Sequence, residues 1–75
     1  MTVYEISYIR TGSGEKQTLD RVQLNTNDSY EFEDETVIPT NITEIIEVFE
    51  MIAEKWWGTY ENRNAIREIK VLKEW

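Results

Sequence analysis

Hydrophobic and polar positions alternate from Thr2 to Thr11, with Tyr4, Ile6 and Tyr8 on one parity and Val3 and Ile9 on the other. Period two in a run rich in β-branched and aromatic residues predicts a strand. Gly12-Ser13-Gly14 then reads as a turn with freedom for positive φ. Lys16 to Thr26 predicts the returning strand, with Val22 and Leu24 inward. Leu19 is out of phase with them, which points to a bulge or a frayed start. After a turn at Asn25 to Asp28, Ser29 to Asp34 alternates again, with Tyr30 and Phe32 against Glu31 and Glu33. That predicts a third, short strand, acidic on its outer side. Glu35 to Thr40 connects it to the next element, with Val37 and Ile38 expected to pack beneath.

From Asn41 the period changes. Placed at about 100° per residue, Ile42, Ile45, Ile46, Phe49, Ile52, Ala53 and Trp56 share one sector. Glu44, Glu47, Glu50 and Glu54 fall on the opposite side, with Val48 and Met51 also turned that way and Trp57 at the border. This is an amphipathic helix ending at Trp57. Asn41 suits its N-cap, because the side chain can accept the free amide of Glu44 or its neighbour, and Glu44 three residues on gives a box-like pattern. Pro39 keeps the preceding chain out of the helix, and Gly58 suits the left-handed position after it. Gly58 to Asn64 is a polar loop. Ala65 to Trp75 fits two patterns. Ile69, Val71 and Trp75 share a strand parity, whereas Ala65, Ile66, Ile69 and Leu72 fit one helix face. The strand is preferred, because the apolar run is short and a sheet edge is available. The expected fold is α+β: a small antiparallel sheet, in the order β-β-β-α-β, with one amphipathic helix packed on one face. Residues 1–75 form a single domain.

Charge changes the picture more than composition does. The net charge is −7, and it is unevenly placed. Residues 22–54 carry nine acids and no Lys or Arg, while residues 1–21 balance three acids with three bases. Residues 55–75 are slightly basic, with five bases and three acids. Such a surface repels phosphates and anionic lipid, so neither nucleic acid nor membrane is expected as a direct ligand. A basic protein surface is the natural complement. No apolar stretch is long enough to span a bilayer, and Met1 runs straight into a strand-like segment. A cytoplasmic location is expected.

The chain has no cysteine and no histidine. It therefore lacks a disulfide, a thiolate and the usual neutral-pH base, and no catalytic site, cofactor or transition-metal site is expected. The oxygen-rich segment from Asn25 fails as an EF-hand loop: its sixth and twelfth places hold Tyr30 and Thr36 where Gly and Glu are required. No phosphate-binding glycine loop is present, and paired carboxylates need a pocket that splits their pKa values before they do acid–base work.

Two features remain. One is the acidic set Glu31, Glu33, Asp34, Glu35, Glu44, Glu47, Glu50 and Glu54, and the other is Trp57 at the helix border. A run of charge is usually a solubilising face. Helix surfaces normally interleave Lys or Arg one turn away, however, and here like charges repel by about 0.2–0.5 kcal/mol per pair. A cost of this kind kept on a surface suggests a partner, with Trp57 as an interface anchor. In size and charge the chain resembles the small acidic inhibitors of anti-CRISPR or anti-restriction type encoded by phages and mobile elements. The eight acids named above carry the resemblance. It implies carboxylates presented where a nucleic-acid-binding protein expects phosphates, that is, a DNA mimic. The functional expectation is a non-enzymatic module whose acidic surface occupies a basic, nucleic-acid-binding partner. The alternative is a small structural or assembly protein forming homo-oligomers through a sheet edge and an exposed Trp57 or Trp75.

Overall fold

The computed structural model describes residues 1–11, 17–57 and 65–75. β1 (Thr2–Thr11) is the central strand of a three-stranded sheet, flanked by β2 (Gln17–Asn25) and β5 (Ile66–Glu74), both antiparallel to it. Between β2 and β5 come β3 (Tyr30–Glu31), β4 (Thr36–Val37) and α1 (Ile42–Trp57). The α+β class holds, with one helix on an antiparallel sheet. The turn at Gly12 to Gly14, the start of the second strand at Lys16 and the loop from Gly58 to Asn64 lie outside the described residues.

The alternation in β1 decides the core. Ile6 is fully buried and Tyr8 nearly so. Their cross-strand neighbours Val22 and Ile69, with Leu24 and Ile66, complete the face under the helix. From α1, Ile45, Val48, Phe49 and Ala53 close over it. The Phe49 and Tyr8 rings lie 5.1 Å apart at a tilt of 57°, a favourable aromatic arrangement. Beyond the helix, Asp20 stands opposite Tyr8 and pairs with Arg10 at 3.3 Å. Burial, reinforced by the Asp20 carboxylate, pushes the Tyr8 phenol above its ordinary pKa.

Four expectations need correction. The short third strand does not join the main sheet. β3 pairs with β4, which the alternation did not reveal, as a separate two-stranded ribbon (Tyr30 with Val37, Glu31 with Thr36). The turn between them is closed by the Phe32 N–H donating to the Glu35 carbonyl at 2.8 Å. Second, β2 has no bulge. Its register with β1 runs unbroken, and Leu19 faces away from the helix, opposite Ile9. The irregularities lie in β5, at both ends of its pairing with β1. One of them skips Arg67, so Ile66 and Ile69 reach the same face despite their odd spacing. That is why the segment also fitted a helical pattern. Third, Val48 is fully buried, while Ile42 is 44% exposed. The ribbon supplies the reason: Tyr30, Phe32 and Val37 pack against the core and extend the apolar surface along the Val48 flank of the helix. Fourth, Val37 does pack there, but Ile38 is 53% exposed.

Local hydrogen bonds fix where the ribbon and helix start. The Asn25 N–H donates to the Tyr30 hydroxyl at 2.8 Å, and Asn25 Nδ2 donates to Asp28 at 3.0 Å. Asn27 adopts φ 65°, a left-handed conformation that Asn tolerates, and its N–H donates to the Pro39 carbonyl at 2.7 Å. Buried Thr26 clasps the start of β1, donating its N–H to the Thr2 carbonyl and accepting the Thr2 N–H at 2.8 Å. Among the described residues no helix is long and apolar enough to cross a membrane.

Candidate functional site

The β3–β4 turn is the sequence Phe32-Glu33-Asp34-Glu35. Phe32 points back to the core edge, so the three acids that follow it are left on the outside. The helix runs past this turn with Met51, Glu54 and Lys55. Together they enclose an open recess of about 640 Å³, lined by Glu31, Phe32, Glu33, Asp34 and Glu35 from the ribbon and by Met51, Glu54 and Lys55 from α1. Its floor is apolar, from half-buried Phe32 and Met51. Five carboxylates and one ammonium surround that floor.

The acidic residues singled out in the sequence therefore divide. Glu31, Glu33, Asp34, Glu35 and Glu54 come together at the recess. Glu47 is exposed and Glu50 half-buried on α1, and neither lines it. Glu44 sits in the first helical turn and is part of the cap. Its carboxylate accepts the Thr40 N–H at 3.1 Å, the Asn41 Nδ2 at 3.3 Å and the Thr40 hydroxyl. In return the Glu44 N–H donates to Asn41 Oδ1 at 2.9 Å, and the Ile45 N–H donates to the Asn41 carbonyl at 3.0 Å. The expected N-cap is present, but the carboxylate reaches one residue further back than a capping box does, to Thr40. The Thr40 side-chain and backbone hydrogen bonds hold the Glu44 carboxyl below its ordinary pKa. The side chains of Trp56 and Trp57 lie outside the described residues.

Phe32 and Met51 as the floor, and Lys55 as the basic member of the rim, are recess residues that the sequence pattern did not mark as functional. The available signal was apolar Met51, which the periodicity turns with Val48 onto the acidic side of the helix. It becomes informative only once the ribbon is placed beside it. Chemically the arrangement suits a cation with an apolar stem. Closely spaced carboxylates facing one open concavity sum their potentials and draw in positive charge, and the floor can take methylene groups. Among the described residues no cluster of three or more potential ligands is arranged to hold a metal ion.

No protein-family model matches the chain, and no curated protein or solved structure matches it.

Proposed function

We propose that this chain is a non-enzymatic protein-binding module whose acidic recess occupies a basic, nucleic-acid-binding surface of another protein. Its carboxylates stand where that partner takes phosphates, in the manner of the small phage and mobile-element inhibitors that it resembles in size and charge. The observation that carries the reading is the convergence of Glu31, Glu33, Asp34, Glu35 and Glu54 around one concavity with an apolar floor. A merely solubilising face has no need to gather its charges around a recess. Arginine is the best-fitting side chain to enter it. Its planar guanidinium engages carboxylates in pairs, and its stem can lie over Phe32 and Met51.

The test is a capture experiment with a five-site variant, E31Q/E33Q/D34N/E35Q/E54Q, beside the parent. The parent should retain a basic nucleic-acid-binding protein that duplex DNA displaces and that salt weakens steeply. The variant should lose it while folding normally. Retention of the same protein by the folded variant sinks the reading, and so does failure of DNA to compete.

A further inference from the structure

The main sheet ends on β5, which pairs with β1 on one side and with no other strand of the described sheet on the other. The opposite edge, β2, is closed at one end by the Tyr30 hydroxyl on the Asn25 N–H. On the helix side of β5 apolar surface is left over: Val71 is 50% exposed although it stands opposite Tyr4 on the core face. Between its two irregularities β5 has one regular stretch, Glu68 to Val71. Glu68 and Lys70 lie on the face away from the helix, opposite Ser7 and Glu5, with Ile69 between them on the core face. Their side chains are 63% and 57% exposed and approach each other at 3.9 Å.

This stretch is complementary to itself. We propose that a second copy of the chain pairs antiparallel along β5 with the register centred on Ile69, joining the two three-stranded sheets into one. Glu68 then faces Lys70 of the second copy, and Lys70 faces its Glu68, on one side of the sheet. The two Ile69 side chains meet on the other, and Val71 gains cover. Moving the centre to Lys70 or to Glu68 sets that residue against its own copy, like charge against like. Charge also permits pairing at this edge. Two copies carrying −7 each repel over most of their surface, but β5 holds Arg67, Lys70 and Lys73 against Glu68 and Glu74 and lies outside the wholly acidic segment. The strand lysines and irregularities that normally blunt an edge act here as a register key. The pairing does not depend on the acidic recess, because none of its residues lines that recess.

Sedimentation equilibrium at sub-millimolar concentration tests it with two charge reversals, E68K and K70E, each at an exposed position that leaves the core intact. The parent should approach twice the 9.0 kDa chain mass. Each single variant should fall back to one chain mass, because like charges then face each other twice. An equal mixture of the two should return to the doubled mass. In the mixed pair the lysine introduced by E68K meets the glutamate introduced by K70E, and native Lys70 meets native Glu68. A parent that stays at one chain mass overturns the proposal. So does a dimer that neither reversal affects, or a mixture that fails to recover.

Discussion

Glu44 and Glu54 belong to one helix, and the periodicity places them on the same side of it. The fold uses them differently. Glu44 is tied to Thr40 and Asn41 and closes the helix start. Glu54 stands across a recess from Glu31, Glu33, Asp34 and Glu35. At the first site a carboxylate meets donors, and its ionised form stabilises the fold. At the second, carboxylates meet one another, and their proximity has no evident folding benefit. A row of like residues in a sequence is therefore not one feature. What each acid does depends on the segment folded against its own turn of the helix.

Both ends rest on the same core, so the largest effect should come from removing it. Phe49→Ala should cost about 3–5 kcal/mol, enough to unfold much of a domain this small, and thermal or urea unfolding measures it. A parent-like melt would mean that α1 is not seated on Tyr8 as described. Next comes the cap. Asn41→Ala should cost about 1 kcal/mol, or a fall in Tm of roughly 4–8 °C for a domain of this size. No change would remove the distinction between the capped end and the open one.

Acid titration sharpens the comparison further. The folded-state pKa of Glu44 is lowered, so its ionised form contributes stability that is present above the ordinary carboxyl value of 4.5 and lost as pH falls through the lowered folded value. E44Q should lie below the parent in stability at neutral pH, and the gap should close on acidification. A gap that does not change with pH would assign the loss to packing. The smallest effect should come at the recess. Relieving like-charge contacts by E31Q/E33Q/D34N/E35Q/E54Q should leave Tm unchanged or raise it slightly, at a few tenths of a kcal/mol per pair. A marked fall would make those acids structural.

Much of the architecture was legible because it rests on local rules. Alternation in Thr2 to Thr11, the Asn41 cap and the helix limit at Trp57 each depend on residues a few positions apart. Phe49, central in the predicted apolar sector, is fully buried, whereas Ile52 is half-buried. What was not legible depends on pairing between distant segments. Thr36-Val37 is too short to alternate, and it becomes a strand only because Tyr30-Glu31 folds back on it. Val48 looked misplaced on the helix until that ribbon covered its flank. Leu19 suggested a bulge or a frayed start because nothing in the sequence says that one face of the sheet can hold an exposed leucine opposite Ile9. The acidic residues were visible as a set, but their division into a cap, a recess rim and two glutamates, Glu47 and Glu50, that line neither was not.

The most direct test of the recess is an NMR titration of the isotopically labelled protein with a short arginine-rich peptide at low salt. The expected result is chemical-shift change concentrated at residues 31–35 and 51–55, abolished by salt and absent in the five-site variant. Shifts spread evenly over the acidic surface, reaching Glu47, Glu68 and Glu74 as strongly as Glu33 and Glu54, would contradict a dedicated site and leave only a charged coat.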